Sequence, residues 1–485
     1  GQTIEDAKVL FEAPKNILKV WFSIDKKSSK ILAGILRSWN QTEYFILNGE
    51  HPPISMNIPV LWNYLGVFKS HLILQVTENN SDFIKGDVVL YHLDHHKYSL
   101  IFRSANKCYL NHLEMTDDYL ILQVLADLKS ELWIYEVSES NCRLIQKIYK
   151  ADCTLSSSSA FKNHVVIQKV GYLTPPHSEL WDLDQIKNLT TGQIALDLHD
   201  SIDCKIRDLF AAETNFPYLD YQISRHSAVS VDGVQIPYFV ISKKGSGTQP
   251  VPCLMYAYGG FARIPAVQFL GLIGTAWLQN GGCYVVAHIR GGNEYGPDWH
   301  QAAVQENRWK CFEDFANVGK DLIHKGLTTS KQLAIRGGSN GGLLVAETAR
   351  RYPELIAAVI CLKPVLDMRM YSHWLVGKYW MDEYGNPDLP EHWDFMKKYC
   401  PYYQLDLSQK YPPIYIETLS TDDRVHPAHA RNLAQKLKDL GMQYLFFESN
   451  EGGHMYRVAP SQIAELEAMR FSFLFREIQG ETART

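Results

Sequence analysis

The chain has 485 residues, of which 46% are apolar, and its formal net charge is −5 at pH 7. A chain of this length exceeds what one hydrophobic core ordinarily supports, so we expect two domains. The scattered lysines and arginines exclude the basic surface typical of nucleic-acid-binding proteins. No apolar run approaches the roughly 20 residues that a membrane-spanning helix needs.

The number and spacing of the cysteines indicate the redox state of the compartment in which the protein resides. The nine cysteines lack the spacing of a disulfide framework, and Cys253, Cys283 and Cys361 lie inside apolar runs. We therefore expect buried thiols and a reducing, cytoplasmic environment. The sequence begins at Gly1 without an initiator Met, which leaves open a signal upstream of Gly1.

A repeated pair of β-strands dominates residues 1–205. The run Leu72–Val76 recurs as Leu120–Val124 and more loosely as Val165–Lys169, with 48 and 45 residues between the matching glutamines. Each run is followed by a second strand: Asp87–Tyr91, Glu131–Tyr135 and Glu179–Asp182. A period of about 40–50 residues is typical of β-propeller blades. Residues 1–205 are long enough for about four blades, and a β-sandwich of unrelated hairpins is the alternative.

Residues 206–485 alternate between strands and helices. Two short β runs flank Asp232-Gly233, which is a hairpin signal. The continuous apolar runs that follow are Cys253–Tyr256, Cys283–Ile289, Gln332–Ile335, Ala358–Leu362, Ile414–Thr418 and Tyr444–Phe447. Helical patterns separate them near residues 304–325, 341–351, 427–440 and 460–477. This alternation predicts a mostly parallel sheet covered by helices, as in an α/β-hydrolase, with ligands at the carboxyl ends of its strands.

Four glycines surround Ser339 at the junction between an apolar run and a helical pattern. The sequence Gly337-x-Ser339-x-Gly341 matches the nucleophile elbow of α/β-hydrolases, a turn so tight that its neighbours carry almost no side chain. Such a turn lifts the serine hydroxyl above the sheet and directs a helix N-terminus at a developing oxyanion. The motif predicts that Ser339 is a nucleophile, and close packing of a glycine-rich junction is the alternative.

An acid and a base follow later strands in hydrolase order. Asp422 comes just after the Ile414–Thr418 run, and His454 follows the last strand in a glycine-flanked loop. The order Ser, Asp, His is that of the α/β-hydrolase triad, in which histidine is the general base and aspartate fixes its tautomer. The alternatives are Asp423 or Asp367 as the acid and His426 or His429 as the base.

Six separate motifs give the last 260 or so residues a specific resemblance. They are Tyr256–Phe261, Ile289–Gly296, Gly337–Gly342, Trp380–Gly385, Asp422–Val425 and Gly453–His454. In this order they resemble the catalytic domain of the prolyl oligopeptidase family of serine peptidases. The resemblance implies that Asp422 is the acid, and that the backbone N–H of Asn340 and the hydroxyl of Tyr258 hold the oxyanion.

The same resemblance implies a pocket for proline. The residues that match its apolar wall are Phe261, Val365, Trp380, Tyr384 and Val425. Trp380 and Tyr384 are four apart and would share one face of a helix, although such a pair is also common in a core. Arg424 matches the arginine that hydrogen-bonds a substrate carbonyl. We see no acidic motif suited to a lysine or arginine side chain, which argues against the branch of the family that cleaves after basic residues.

The chain departs from the family's pattern in length. Family members carry a seven-bladed propeller and an N-terminal segment, whereas this chain has room for about four blades, so the resemblance implies that an N-terminal third is absent. An open arc of blades would expose faces and edges that closure hides. The absent part normally helps to enclose the active site, so the activity of this chain is left open.

The function implied is that of a serine oligopeptidase that cleaves short peptides after proline through an acyl-enzyme, without metal or another cofactor. An esterase or thioesterase with the same triad and a catalytically idle scaffold are the alternatives. The adjacent histidines within Leu93–Lys97 would face opposite sides of a strand, so we expect an exposed turn and no metal site there. The expected partner is a short peptide, neither nucleic acid nor membrane is expected, and the oligomeric state is left open.

Overall fold

The structure is a computed structural model. It describes residues 9, 11–15, 17, 19–24, 30–38, 41–47, 52–59, 61–105, 107–138, 142–150, 153–186, 192–195, 205–245, 249–406, 408–455 and 458–479. These residues form two compact units, the first within 1–169 and 176–211 and the second within 170–175 and 212–485. The division falls after Ala211, later than the expected residue 205, because the strand at Lys205–Ala211 pairs within a sheet of the first unit.

Short strands, which pair antiparallel except for the parallel pair of β12 and β16, build the first unit. They are β1 (Lys19–Ile24), β2 (Ile31–Ser38), β3 (Gln41–Leu47), β4 (Ile54–Ser55), β5 (Asn63–Phe68), β6 (His71–Gln75), β7 (Val88–His92), β8 (Tyr98–Phe102), β9 (Cys108–Met115), β10 (Tyr119–Ala126), β11 (Lys129–Val137), β12 (Cys142–Tyr149), β13 (Thr154–Phe161), β14 (His164–Gly171), β15 (Thr174–Asp182), β16 (Gly192–Ala195) and β17 (Lys205–Ala211). A one-turn helix, α1 (Leu183–Ile186), follows β15. Among the described residues these strands form four sheets, ordered β1-β2-β3-β4, β5-β6-β7-β8, β16-β12-β11-β10-β9 and β13-β14-β15-β17.

The repeat found in the sequence corresponds to the same hairpin in three successive sheets. Its first strand is β6, β10 or β14, and its second strand is β7, β11 or β15. Neighbouring sheets share apolar cores, for example one in which Leu90 of β7 packs with Leu120 and Leu122 of β10. Because each sheet buries its faces against the next, the predicted blade-like repeat is confirmed over the described strands.

The outer strands of this unit are less well covered than the inner ones. Phe22 and Ile24 on β1 are exposed, as are Ile206 and Phe210 on β17, whereas Leu120 on β10 is fully buried. Apolar side chains are therefore exposed on both β1 and β17.

One mixed sheet of eight strands organises the second unit. Its strands are β18 (Tyr221–Val229), β19 (Gln235–Lys243), β20 (Cys253–Tyr256), β21 (Cys283–Ala287), β22 (Leu333–Gly338), β23 (Ala358–Leu362), β24 (Ile414–Leu419) and β25 (Tyr444–Ser449). The order across the sheet is β18-β19-β21-β20-β22-β23-β24-β25. The hairpin β18–β19 and the pair β19–β21 are antiparallel, and the remaining pairs are parallel. The predicted hairpin and mostly parallel sheet are therefore confirmed.

Helices pack on both faces of this sheet. They are α2 (Gly271–Ile273), which continues as a π-helical turn over Gly274–Leu278, α3 (Pro297–Gln301), α4 (Trp309–His324), α5 (Asn340–Arg351), α6 (Met381–Tyr384), α7 (Pro390–Met396), α8 (Ala428–Asp439) and α9 (Pro460–Gln479). One core lies against α4, α5 and α8, and a second lies against α9. None of the described helices combines the length and apolar character needed to cross a membrane.

The buried strands explain where the cysteines lie. Cys253, Cys283 and Cys361 are buried in β20, β21 and β23, and all eight cysteines within the described residues are free thiols. The predicted burial of Cys253, Cys283 and Cys361 is confirmed. Since the central strands run parallel, the turns after β20, β22, β23 and β24 emerge at one edge of the sheet, where polar side chains can meet.

Candidate active site

The turn between β22 and α5 holds Ser339 in a strained conformation. Its backbone has φ 58° and ψ −119°, a region that residues other than glycine rarely adopt. The turn has no room for larger neighbours, because a Cβ on Gly337 would lie 2.0 Å from the Gly341 carbonyl oxygen. As the first residue of α5, Asn340 has a backbone N–H without an acceptor in its own helix. This geometry is that of a nucleophile elbow.

Tyr258 lies two residues after β20 and meets the serine. Burial raises the pKa of the Tyr258 hydroxyl, and a hydrogen bond with the Ser339 side chain partly offsets that rise. The Tyr258 carbonyl in turn accepts a hydrogen bond of 2.6 Å from the side-chain amide of Asn340. Of the two candidate oxyanion donors, the Tyr258 hydroxyl therefore lies within hydrogen-bonding reach of Ser339, and the Asn340 N–H directly follows Ser339 in the chain.

The loops after β24 and β25 bring Asp422 and His454 together. The imidazole Nδ1 lies 2.8 Å from Asp422 Oδ2 and 3.1 Å from Oδ1, and both side chains are buried. Asp422 Oδ1 also accepts the backbone N–H groups of Arg424 and Val425 at 2.9 Å. Burial raises the pKa of Asp422, but the hydrogen bonds and the interaction with His454 outweigh it, and the net pKa is lowered. Asp422 therefore stays ionised and can orient the imidazole.

The alternative acids have other partners. Asp423 Oδ1 accepts the backbone N–H of His454 at 3.3 Å, which supports the loop but does not touch the ring. Asp367 Oδ1 accepts the N–H groups of Arg369 and Met370 at 3.1 and 3.2 Å, as expected of a carboxylate that caps a turn. Burial raises the pKa of Asp367 above its usual value.

The alternative bases are engaged elsewhere. The Nδ1 atom of His429 accepts the N–H groups of Leu366 and Asp367 at 3.3 and 3.0 Å, and burial lowers the pKa of His429 to about 3. His426 packs against the ring of Trp374 and caps the start of α8 through the N–H of Ala428. Neither histidine contacts a carboxylate in the way that His454 contacts Asp422.

The residues of the expected pocket form one aromatic cluster. The ring of Phe261 meets Trp380 edge-on with 6.2 Å between centroids and Tyr384 with 5.4 Å. The helix predicted to carry both rings is divided into a 3₁₀ turn that ends at Trp380 and the short helix α6. Phe261 and Trp380 are partly exposed, whereas Tyr384 is fully buried.

The other expected pocket residues differ in exposure. Val365 and Val425 are buried and belong to the core that contains Tyr384. Arg424 is exposed, and its backbone N–H, 2.9 Å from Asp422 Oδ1, fixes it beside the acid. A partly exposed aromatic pair above a buried apolar base is suited to an apolar ring.

A buried polar network behind this cluster was not predicted from the sequence. Glu383 Oε1 accepts the Phe261 N–H at 2.9 Å and pairs with Arg308, and Glu383 Oε2 pairs with His300 at 2.7 Å. The Oδ1 atom of Asn340 accepts hydrogen bonds from Arg308 and from the Tyr384 hydroxyl. Burial raises the pKa of Glu383, but His300 and Arg308 lower it below its usual value. The network links the aromatic cluster to the serine turn.

Part of this network carries a sequence signal. Glu383 lies inside the Trp380–Gly385 motif, whereas Arg308 precedes α4 without any motif of its own. The position of Glu383 between two aromatic pocket candidates could have marked it as functional. Arg308 could be found only from the structure.

One group of possible metal ligands exists among the described residues, in the first unit. His177, Glu179 and Asp208 have ligand atoms within 4.8 Å of one another. Lysine side chains already fill this group, because Lys169 lies 2.7 Å from Glu179 and Lys205 lies 2.7 Å from Asp208. The group is therefore a network of ion pairs, and the turn within Leu93–Lys97 is exposed as expected.

Comparison with protein families gives one match. The profile described as "Prolyl oligopeptidase family" matches residues 273–481, a range that includes Ser339, Asp422 and His454.

Two curated relatives are uncharacterized peptidases. One, from Rickettsia prowazekii, is 30% identical over 482 residues, which cover 94% of this chain and 64% of the relative. The other, from Sinorhizobium fredii, is 32% identical over 368 residues, which cover 75% of this chain and 48% of the relative. The chain thus spans between about half and two thirds of the length of these relatives.

The fold is shared with a post-proline cleaving enzyme from Rickettsia typhi. Its solved structure superposes with a TM-score of 0.84 at 28% sequence identity, covering 99% of this chain and 70% of that one. The described architecture is therefore an α/β-hydrolase domain that follows part of a β-propeller.

Proposed function

Because the chain carries a catalytic domain of the prolyl oligopeptidase family of serine hydrolases, we propose that it hydrolyses short peptides after proline with Ser339, Asp422 and His454 as its triad. The observation that carries the proposal is the contact of 2.8 Å between His454 Nδ1 and the buried Asp422 carboxylate. It lies at the edge of the sheet from which the strained serine turn projects.

In the proposed reaction His454 acts through its second ring nitrogen. It removes the Ser339 proton as the hydroxyl attacks the carbonyl carbon of the scissile bond, and it then protonates the leaving amine. Asp422 holds the Nδ1–H tautomer and stabilises the imidazolium that forms. Water then hydrolyses the acyl-enzyme by the same route, so that Ser339 is regenerated.

Two donors stabilise the charge that develops on the carbonyl oxygen. The proposed donors are the Asn340 N–H at the start of α5 and the Tyr258 hydroxyl, which hydrogen-bonds to the Ser339 side chain. Donors already in place for a developing oxyanion lower the barrier by roughly 3–4 kcal/mol each. The helix N-terminus adds a favourable dipole.

Proline specificity rests on the aromatic cluster. Phe261 and Trp380 offer partly exposed rings, Phe261 also contacts the buried ring of Tyr384, and Val365 and Val425 belong to the same buried core as Tyr384. A pyrrolidine ring packs well against such faces. Arg424 is exposed beside the acid and is the proposed donor to a substrate carbonyl. The similarity to the post-proline cleaving enzyme from Rickettsia typhi supports this specificity.

The proposed setting of the enzyme is a reducing compartment such as the cytoplasm. The eight free thiols within the described residues support a reducing compartment, because cysteines of proteins in oxidising compartments usually form disulfides.

A fluorophosphonate probe tests the proposal directly. The parent chain, Ser339→Ala and the control Ser227→Ala are incubated with the probe and assayed on chromogenic peptides with proline or alanine at the cleavage site. Ser227 is an exposed serine that bonds only to Gln235 among the described hydrogen bonds. We expect labelling and cleavage after proline in the parent and in Ser227→Ala, and neither in Ser339→Ala.

Other outcomes identify other functions. Fast turnover of small acyl esters without any preference for proline would indicate an esterase or thioesterase. A folded parent chain that is neither labelled nor active would contradict the proposed triad and would favour a scaffold.

A further inference from the structure

Lys363 lies at the point where the serine turn and the histidine loop approach each other. It directly follows β23, in the left-handed region at φ 44°. The Leu362 carbonyl just before it accepts the Ser339 N–H at 2.8 Å, and the Lys363 N–H donates to the Glu417 carbonyl of β24 at 2.6 Å. The backbone of Lys363 is thus hydrogen-bonded to β24, the strand that precedes Asp422. It also lies next to the turn that carries Ser339.

The side chain of Lys363 reaches the third triad residue. Its Nζ donates a hydrogen bond of 2.7 Å to the backbone carbonyl of His454. Two further contacts hold the same loop, one from the Thr421 hydroxyl to the Gly452 carbonyl at 2.6 Å and one from the His454 N–H to Asp423 at 3.3 Å. Lys363 is the partner that ties the loop to the centre of the sheet.

We propose that Lys363 is a positioning residue, which holds the His454 loop so that the imidazole keeps its place between Asp422 and Ser339. The inference rests on the proposed triad. In this role, Lys363 fixes the general base without contacting the substrate. A displacement of a catalytic group by about 1 Å can lower the rate about 10²-fold.

The cost of placing an amine here supports a functional role. A partly buried ammonium loses hydration, and a methionine would fill a similar volume at a lower cost. Burial lowers the pKa of Lys363 to about 7, although the negative charges of Glu417 and Asp422 act to raise it. An amine held at this cost beside the triad is better explained by its bond to the histidine loop than by packing.

An ionic network surrounds the amine from several elements. The charged groups that act on it or join the same network are Arg336 on β22, Glu417 on β24, Asp422 after β24, and Glu467 and Arg470 on α9. Arg470 pairs with both Glu417 and Glu467, and Glu467 pairs with Arg336. These ion pairs hold the charged groups near Lys363 in place.

Lys363→Met, Lys363→Arg and the control Lys436→Met test the inference in the full chain. Lys436 on α8 is a matched control, because its amine also donates to a backbone carbonyl, that of Tyr402. Activity is measured on a chromogenic peptide with proline at the cleavage site and on p-nitrophenyl acetate, and labelling is followed with a fluorophosphonate. Rates are normalised to the folded fraction from near-UV circular dichroism.

We expect Lys363→Met to lower kcat about 10²-fold on both substrates with KM within two-fold, and to slow labelling by a similar factor. Its acidic limb of kcat/KM should move to higher pH, because a nearby positive charge that opposes protonation of the base is lost. Lys363→Arg keeps a cation and a donor and should recover kcat to within about ten-fold of the parent. Lys436→Met should match the parent in all these measurements.

Three results would overturn the inference. A folded Lys363→Met with kcat within two-fold of the parent, even at a reduced Tm, would show that Lys363 serves stability alone. If Lys363→Met does not fold, Lys363→Arg decides the question. A kcat and an acidic limb of Lys363→Arg that match those of the parent support positioning. A loss of activity equal to that of an unfolded chain contradicts it. A parent chain that fails to label at all refutes the triad itself, and the inference falls with it.

Discussion

The two units bury their side chains by different rules. In the first unit, the same hairpin recurs and successive sheets share cores made of apolar residues such as Leu90, Leu120 and Leu122. In the second unit, several buried charged side chains pair with groups distant in the sequence, as Arg308 does with Glu383. The difference teaches that the repeat of the first unit reports packing, whereas the candidate site of the second unit is marked by buried polar groups whose partners lie far away in the chain.

The largest expected effect concerns the two adjacent aspartates of the second unit. Asp422→Asn should lower kcat about 10⁴-fold, because an amide cannot hold the imidazole in the Nδ1–H tautomer. Asp423→Asn should cost less than ten-fold, because Asp423 accepts the backbone N–H of His454 and not a ring nitrogen of that residue. The measurement is kcat on a proline peptide. Equal losses in the two variants would contradict the choice of Asp422 and weaken the argument from burial.

Tyr258 offers the next largest effect. Tyr258→Phe removes one proposed oxyanion donor and should lower kcat about 10²–10³-fold with little change in KM. Tyr256→Phe is the matched control, because Tyr256 lies two residues earlier on β20 and carries no role in the proposed reaction. Steady-state kinetics separates the two. If KM rises while kcat is unchanged, Tyr258 binds substrate rather than the transition state.

A pH dependence follows from the ionic network of α9. Burial raises the pKa of Glu467, but Arg336 and Arg470 outweigh it and lower that pKa to about 2. A carboxyl with a depressed pKa stabilises the fold above its unfolded pKa of about 4.3, and this stabilisation is lost as the pH falls through about 2. The contribution is about 3 kcal/mol at neutral pH.

Guanidinium unfolding between pH 6 and pH 2 measures this contribution. Glu467→Gln should lower the free energy of unfolding at pH 6 and should reduce the loss of this free energy between pH 6 and pH 2. Substitution of the exposed Glu391 should leave that loss unchanged. A parent-like slope in Glu467→Gln would show that other carboxyls carry the acid sensitivity, and that the network of the second unit is less important than its burial suggests.

Much of the fold could be predicted because its signals are local. The runs at Cys253–Tyr256 and Ala358–Leu362 match β20 and β23 residue for residue, since strands buried on both faces read as continuous apolar stretches. The hairpin repeat of the first unit also has a period that the sequence displays directly. The boundary between the units was harder to place, because β17 joins its sheet through long-range pairing with β15.

The candidate site divides in the same way. Ser339, Asp422 and His454 lie in short motifs at strand ends, and the structure brings His454 Nδ1 to 2.8 Å from Asp422. Arg308 and Lys363 could not be predicted, because their partners lie 75 and 91 residues away in the chain. No local pattern encodes such a pairing, and only the sheet order brings these groups together.

The smallest effect is expected in the first unit and tests the comparison from the other side. Asp87 is a fully buried carboxylate whose oxygens accept the N–H groups of Ser104 at 2.8 Å and Ile84 at 3.0 Å. Asp87→Asn should lower the free energy of unfolding by about 1–2 kcal/mol, because an amide accepts these bonds less well than a carboxylate. It should leave kcat and fluorophosphonate labelling of the folded fraction unchanged, since Asp87 joins neighbouring strands of one sheet.

Urea unfolding and active-site labelling of the same samples provide the two readings. A loss of labelling without a loss of stability would show that the first unit also places charge for the reaction, and the division of roles between the units would have to be abandoned.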